Sequence, residues 1–315
     1  MRQHFSPLDV LSDRAVQEKY RLPLTTIRWL ITLVTPHIQR ASCRNFVLSP
    51  EVQLLAALRF YTVGSFLEVV GDGTSLSKAS VSRSVAAVTP ILLRHARNHS
   101  KMPTTRDEVR QVHQGFHAVA GIPRVIDVVD DTLHHSYPQS LPGGSVLDQQ
   151  EALRGHQHTG GGGPQRHITD IVARLPGGTH DSLIWANYAV GQKAGREEFG
   201  LLGYPPRGQW LSSPELPRHA SNQPSNTTRT RVERVFGMWK SRYRCIHRSL
   251  GGLRLSPHKC CRVIVVTAML HNIAVHVGAV EPPPVDDGEE HPEDEAPEPH
   301  TPGCASSAPS GWCPD

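Results

Sequence analysis

Residues 124–130 carry the feature that most limits the possible folds of this chain, the run Arg-Val-Ile-Asp-Val-Val-Asp. Val and Ile favour strands, and a short run rich in them is typical of a strand that is buried on both faces. Such a strand needs partner strands beside it and other elements over its two faces. We therefore predict an α/β fold, in which a helical N-terminal region precedes a mixed sheet.

Residues 8–64 show the spacing and the end signals of helices. Two helices are expected within residues 8–40, because Pro23 interrupts an otherwise helical pattern. Ser49 is the expected N-cap of the next helix, with proline at its first position, and Gly64 is its expected end. The apolar residues of this helix recur at helical spacing and predict one buried face, formed by Leu54, Leu55, Leu58 and Tyr61.

Residues 65–88 have the layout of a helix-turn-helix. A short helix is followed by a glycine-containing turn and by a second helix that Ser77 caps. The first turn of such a second helix faces the major groove of DNA, where Lys and Arg pair with guanine and Ser with several base edges. The candidate DNA-binding residues are Lys78, Ser80, Ser82 and Arg83. A plain helical hairpin with a solvated polar face explains the same pattern equally well, so both interpretations stay open at this point.

Three acidic residues stand apart by their surroundings. Asp130 lies at the end of the predicted strand, where a lone buried carboxylate is costly unless it binds something. Asp181 follows a second predicted strand, residues 167–175, and Glu233 lies in a predicted helix that begins near Thr230. Carboxylates from separate elements can hold two divalent cations about 4 Å apart for the hydrolysis of a phosphodiester. Mg²⁺ and Mn²⁺ prefer such oxygen ligands, whereas zinc would prefer a cluster of Cys and His.

Arg229, Glu233 and Lys240 are separated by four and seven residues, which places them on one face of the predicted helix. A carboxylate between two cations suits a site that holds a metal ion and a phosphate. The same spacing is common in surface ion pairs, and taken alone it favours that simpler explanation.

The charge of the chain is distributed unevenly. The whole sequence has 33 Lys and Arg and 29 Asp and Glu, but residues 281–315 hold ten of the acidic residues and none of the basic ones. Residues 1–280 therefore carry a balance of +14. That balance favours DNA as a partner, because each Lys or Arg that contacts a phosphate releases counterions, although ordinary solubility charge would also account for it. No apolar segment is long enough to predict a membrane partner.

Six segments of the sequence together resemble the Harbinger transposase-derived nucleases of vertebrates, which are related to the PIF/Harbinger transposases. The segments are SPEVQLLAALRFYTVGSF (49–66), SKASVSR (77–83), FHAVAGIPRVIDVVDDT (116–132), DIVARLPGGTHDS (170–182), RTRVERVFGMWKSRYRC (229–245) and AMLHNIAV (268–275). Arg229, Glu233 and Lys240 match the signature of that family in full.

The resemblance implies an RNase H-like domain of the DDE type that uses a divalent metal, Mg²⁺ or Mn²⁺. Asp130 and Glu233 match its catalytic residues, and these two together with Asp181 match its metal ligands. The implied activity is endonucleolytic hydrolysis of DNA without transposition. A separate Myb-like DNA-binding protein is the implied partner, and the implied location is the nucleus and the cytoplasm.

Two departures from the family pattern predict damage. The family has Gly-Asp-Ser-Gly-Tyr-Pro, whose Asp is the second member of the catalytic triad, whereas this chain has Gly-Leu-Leu-Gly-Tyr-Pro at 200–205. Either Leu201 replaces the Asp or a short deletion removed it. Residues 151–166, where the family has a strand, are rich in glycine, and we expect them to be unable to form a central strand. The expected sheet is therefore incomplete, and a catalytically inactive DNA-binding or adaptor protein is the alternative function.

These observations predict four parts of the chain. Residues 1–100 are the helical, helix-turn-helix DNA-binding region, residues 101–123 are a connector, and residues 124–280 are the RNase H-like nuclease domain. Residues 281–315 are acidic and Pro-rich with few aromatic residues, which predicts a disordered tail.

Overall fold

The computed structural model describes helices from both ends of the chain and a sheet between them. The described residues are 7–39, 48–64, 67–72, 75–101, 103, 105–120, 125–135, 150–158, 167–176, 200–202, 234–247, 253 and 255–283. The chain divides after Val285 into two units, and all described residues belong to the first of them, Met1–Val285. The expected acidic tail lies outside the described residues from position 284 onward.

Four helices form the first part of the unit, α1 (Pro7–Val10), α2 (Asp13–Tyr20), α3 (Leu24–Ile38) and α4 (Pro50–Val63). The predicted break at Pro23 is confirmed, but three helices rather than two begin before residue 40, and Ser12 is the N-cap of the second. Ser49 caps α4 and Gly64 ends it, as predicted. The predicted face of α4 is buried, and α2 and α3 pack against this helix.

Two further helices, α5 (Leu67–Asp72) and α6 (Lys78–His99), occupy the predicted helix-turn-helix segment. Ser77 caps α6 as predicted, and α6 continues past Pro90 to His99, which agrees with the prediction that it runs to about Pro90 or beyond. Tyr61 of α4 and Thr89 of α6 form a buried hydrogen bond of 2.8 Å, which joins the two helices beside that proline. The inward face of α6 is confirmed by the burial of Val81, Val85 and Val88.

The segment expected to be a connector, residues 101–123, contains the helix α7 (Arg106–Ala120). Thr105 and Glu108 form a reciprocal capping box, in which each side chain accepts a hydrogen bond from the backbone N–H of the other. Val112 is buried and α7 packs on the strand that follows it. The chain between the N-terminal helices and the sheet is therefore a structured element.

The four described strands form one sheet in the order β3-β2-β1-β4. Their bounds are Val125–His135 for β1, Gln150–His158 for β2, His167–Pro176 for β3 and Gly200–Leu202 for β4. β2 pairs antiparallel with both β1 and β3, whereas β4 pairs parallel with β1. The Val/Ile run therefore lies on an inner strand of a mixed sheet.

The prediction that residues 151–166 cannot form a central strand is wrong. β2 lies between β1 and β3, and its residue Gly155 is opposite Asp130. The glycine run that argued against a strand, residues 160–163, follows the last residue of β2. A single glycine within a strand still offers its backbone N–H and C=O groups to both neighbours, so Gly155 weakens the ladder without ending it. The described sheet is therefore not incomplete at this position.

Among the described residues, three helical segments follow β4 along the chain, α8 (residues 234–242), a short 3₁₀ helix (Arg244–Ile246) and α9 (Pro257–His276). The sequence predicts a helix from Pro257 to His276, and α9 has these bounds. Gly64, which ends α4 with a φ of 66°, lies so close to the backbone carbonyl of Arg244 that a Cβ there would collide with it. The 3₁₀ helix therefore packs directly on the end of α4. The predicted apolar side of α8 is confirmed for its described members, Val235, Phe236, Trp239 and Tyr243.

Asn272 of α9 joins three elements through its side-chain amide. Its Oδ1 accepts a hydrogen bond of 2.8 Å from the backbone N–H of Ile168, and its Nδ2 donates to the carbonyl of the same residue at 2.7 Å. Nδ2 also donates to the carbonyl of His99 at 2.9 Å and lies 3.0 Å from the hydroxyl of Ser100. The amide therefore takes the place of a neighbouring strand at the start of β3, and it holds the end of α6 there.

We expect Gly64→Ala to lower the free energy of unfolding by more than about 2 kcal/mol, since the new Cβ meets both a left-handed backbone and the carbonyl of Arg244. Gly278→Ala is the matched control. Gly278 has a similar φ of +64° but open space around it, so its substitution should cost only about 1 kcal/mol. Chemical denaturation followed by circular dichroism measures both variants. Equal losses would contradict the close contact between α4 and the 3₁₀ helix.

Asn272→Ala should lower the free energy of unfolding by about 2–4 kcal/mol, because both backbone groups of Ile168 lose a buried partner. Ser100→Ala removes one contact of the same amide and should cost less than about 1 kcal/mol. Hydrogen exchange gives a local readout, since the amide proton of Ile168 should lose protection only in Asn272→Ala. Unchanged protection would show that another group holds the start of β3.

Candidate functional site

The first turn of α6 carries the candidate DNA-binding residues, and short hydrogen bonds hold it in place. Ser77 Oγ accepts from the backbone N–H of Ser80 at 3.2 Å, and the two hydroxyl oxygens are 2.9 Å apart. The guanidinium of Arg83 donates to the carbonyl of Ala79 at 3.2 Å and to the hydroxyl of Ser80 at 3.4 Å. The turn is therefore fixed by its own side chains, with the Arg83 cation on its outer side.

The four candidates on α6 differ in their access to a ligand. Lys78, Ser82 and Arg83 are exposed, whereas Ser80 is half-buried and its hydroxyl is engaged with Ser77 and Arg83. The N-terminus of a helix attracts anions, and two exposed cations strengthen that attraction. The geometry therefore leaves Lys78, Ser82 and Arg83 accessible to an anionic ligand, whereas Ser80 has a supporting role, because its hydroxyl contacts Ser77 and Arg83.

Asp130 lies within β1 rather than at its end, since the strand continues beyond it. Gly155 of β2 is directly opposite. On the other side of β1, the parallel strand β4 places Leu201 opposite Asp127. The segment in which the related family has its second acidic residue therefore lies beside the strand that carries Asp130.

Of the other predicted site residues, only Lys240 lies in the described part of the chain. Asp181, Arg229 and Glu233 lie outside the described residues, and Lys240 is half-buried on α8. The convergence of Asp130, Asp181 and Glu233 therefore stays a prediction. Within the described part of the chain, no group of three His, Cys, Asp or Glu residues could hold a metal ion. No helix in that part is long and apolar enough to cross a membrane.

Helix α8, which carries Lys240, is held by buried aromatic residues. The rings of Phe236 and Trp239 have centroids 6.0 Å apart, and Tyr243 follows on the same apolar side. Complete burial raises the pKa of the Tyr243 hydroxyl well above its ordinary value, so this group stays neutral. The core therefore sets the orientation of α8 and of the cation on it.

Known proteins that resemble the chain identify its family. A family model described as DDE superfamily endonuclease matches residues 161–272, a range that includes β3, β4, α8 and most of α9. The Bos taurus protein named "Putative nuclease HARBI1" is 30% identical over 302 residues, which covers 90% of this chain and 86% of that relative. The chain belongs to the Harbinger transposase-derived nuclease family.

Other members of the Harbinger transposase-derived nuclease family show a similar likeness. The Homo sapiens protein of the same name is 29% identical over 281 residues, and the Mus musculus protein is 29% identical over 282 residues. Each match covers 86% of this chain and 80% of the relative. No solved structure matches the chain significantly. The similarity to these relatives therefore extends well beyond the segment that the endonuclease model matches.

The fold also brings together residues that sequence reasoning missed. Asn272 lies in a segment that carries the family resemblance, and its signal was a polar amide within an apolar helix, which needs hydrogen-bond partners when buried. Arg21, Arg59, Arg242 and Arg244 gave no signal, because only the fold brings residues so far apart in sequence to one place.

Proposed function

We propose that this member of the Harbinger transposase-derived nuclease family hydrolyses DNA with Mg²⁺ or Mn²⁺ and does not transpose. Asp130, Asp181 and Glu233 are the proposed metal ligands, with Asp130 and Glu233 as the catalytic pair. The position of Asp130 on an inner strand, opposite a glycine, carries the proposal. A buried carboxylate is costly unless a cation or hydrogen bonds compensate it, and glycine in a strand is typical of sites where a ligand approaches closely.

The proposed ligand set suits hard divalent cations, because it consists of carboxylate oxygens. Such ions, when bound, supply an activated water and stabilise the leaving oxygen of the phosphodiester. We assign Arg229 and Lys240 to the binding of the scissile phosphate, since both belong to the family signature around Glu233. Lys240 is half-buried, and reduced contact with water strengthens its attraction to a phosphate.

Helices α5 and α6 are the proposed DNA-recognition unit, a helix-turn-helix whose second helix enters the major groove. The exposure of Lys78, Ser82 and Arg83 on the first turn of α6 supports this assignment. Ser80 contributes by holding the guanidinium of Arg83. We further propose, from family membership, a Myb-like partner and a location in the nucleus and the cytoplasm.

We expect Asp130→Asn to lower Mn²⁺-dependent cleavage of supercoiled plasmid by on the order of 100-fold or more, since it removes a ligand charge. Asp127→Asn is the matched control, because it makes the same change on the same strand and should cleave at the wild-type rate. Agarose gels measure cleavage, and binding of DNA without metal should be equal in both variants. Loss of cleavage in both variants or in neither would contradict the assignment of Asp130.

A second candidate function is DNA binding without catalysis, and Leu201 favours it. This residue lies on β4, beside β1, in the segment where the family pattern has an Asp. A leucine cannot bind a cation, so β4 would contribute no carboxylate to the metal site. The second candidate requires DNA binding that needs no metal and that weakens as salt rises, because phosphate contacts release counterions.

The second candidate predicts that the wild-type protein binds DNA without cutting it and that Leu201→Asp introduces Mn²⁺-dependent cleavage. Leu201→Asn has nearly the same size as the Asp variant but no charge, so it should stay inactive. Calorimetric titration should also show tighter Mn²⁺ binding by Leu201→Asp than by the wild type. Cleavage by the wild type above the level of Asp130→Asn would reject the second candidate in favour of the first.

A further inference from the structure

Four arginines from separate segments converge at the C-terminal end of α2. Arg21 is the C-cap of α2, Arg59 belongs to α4, Arg242 ends α8 and Arg244 begins the 3₁₀ helix, and we call these four the arginine cluster. Arg242 Nη1 donates to the carbonyl of Arg21 at 3.2 Å, and Arg59 Nη1 donates to the carbonyl of Lys19 at 3.2 Å. Two of the arginines therefore bind carbonyls at the end of α2, which fixes the place of the cluster.

Burial leaves donors of this cluster without acceptors. Arg242 is 1% exposed, and the other three are half-buried. The Nε atoms of Arg21, Arg242 and Arg244 are buried and have no hydrogen-bond partner among the described residues. The pKa of Arg21 is lowered, first by burial and then by the charges of the other three arginines, so the four groups act on one another. Buried cations with unpaired donors are unfavourable unless an anion binds them.

The carboxylates that act on the cluster do not outweigh its charge. Glu18 is one of them, and it is paired with Arg14 at 2.9 Å. Glu281 is another, and its charge acts on Arg242. Lys19 adds a further cation beside the cluster. Among the described residues, these groups leave the surroundings of the cluster positive.

The backbone of Arg21 indicates that its side chain has a role. Its φ of 64° lies in the left-handed region, where helix ends usually have glycine, as α4 does at Gly64. An arginine in this conformation strains the backbone, and such strain is concentrated at functional positions. A guanidinium that binds an anion would account for arginine at a place that glycine fills without strain.

We propose that the arginine cluster is a phosphate-binding site and that it holds one phosphate of the DNA backbone. Guanidinium groups bind phosphate oxygens in charge-assisted, often bidentate pairs, and the half-exposed side chains of Arg21, Arg59 and Arg244 can offer such donors to a ligand. DNA is the favoured source of the phosphate because residues 1–280 carry a balance of +14. The choice of DNA rests on the proposed function, whereas the affinity for phosphate does not.

Arg21→Gly tests the site without damage to the fold. The variant loses the guanidinium but keeps the carbonyl that Arg242 binds, and glycine adopts this φ without strain. We expect the slope of log affinity against log salt for a duplex of about 20 base pairs to fall by about 0.9, which corresponds to about eightfold weaker binding near 0.1 M salt. Arg28→Gln is the matched control, since it removes an exposed charge from the neighbouring helix α3, and it should keep the wild-type slope.

Thermal melting with inorganic pyrophosphate separates the site from the proposed function. Pyrophosphate should raise the Tm of the wild type and of Arg28→Gln but not that of Arg21→Gly. Equal shifts in all three proteins would overturn the phosphate site. A lower Tm of Arg21→Gly without any ligand would also overturn it, since the arginine would then support the fold.

The remaining outcomes concern the source of the phosphate. An unchanged salt slope in Arg21→Gly, in a protein that binds DNA, would overturn the assignment to DNA. A pyrophosphate shift that still depends on Arg21 would then point to a phosphopeptide or a free nucleotide. Absence of DNA binding by the wild type would instead defeat the proposed function, with the pyrophosphate result reporting separately on the cluster.

Discussion

The amide of Asn272 is the interaction on which the arrangement of the candidate site depends. β3 lies at an edge of the described sheet, and an edge strand has backbone groups without a neighbouring strand. A helix cannot supply partners from its own backbone, because its N–H and C=O groups are already paired within it. A side-chain amide has both a donor and an acceptor, so Asn272 can pair with both backbone groups of Ile168 and still bind the carbonyl of His99. One side chain therefore fixes the sheet relative to α6.

The arginine cluster makes a second connection between distant parts of the chain. Arg242 also donates to the carbonyl of Val280 at 3.3 Å, in addition to the carbonyl of Arg21. The buried guanidinium of Arg242 thus joins the end of α2 to the segment that follows α9. The N-terminal helices are consequently built into the same core as α8 and α9, and their stability depends on residues near the other end of the chain.

Features that depend on neighbouring residues were predicted correctly from the sequence, whereas features that depend on residues far away along the chain were missed. Ser77, Gly64 and the bounds of α9 were predicted because caps and helical periodicity depend on a few neighbouring residues. β2 was missed because a strand is stabilised by partners far away in sequence, while the glycines of the following segment dominated the local composition. Glu233 was a candidate from its spacing with Arg229 and Lys240, but that spacing alone favoured an ordinary ion pair, and the family resemblance supplied its catalytic role. Asn272 bonds to residues more than a hundred positions away, and no local pattern shows that.

In the proposed function, the length of α6 sets the distance between the place where DNA is read and the place where it is cut. The helix has 22 residues, which at 1.5 Å per residue gives about 33 Å, close to one turn of B-form DNA. Its first turn carries Lys78 and Arg83, and the carbonyl of His99 at its other end is bonded to the residue that holds the sheet edge. A duplex read at the first turn of α6 would therefore meet the sheet at an offset of up to about one helical repeat. Because α6 is one continuous helix from Lys78 to His99, this offset would have a constant value.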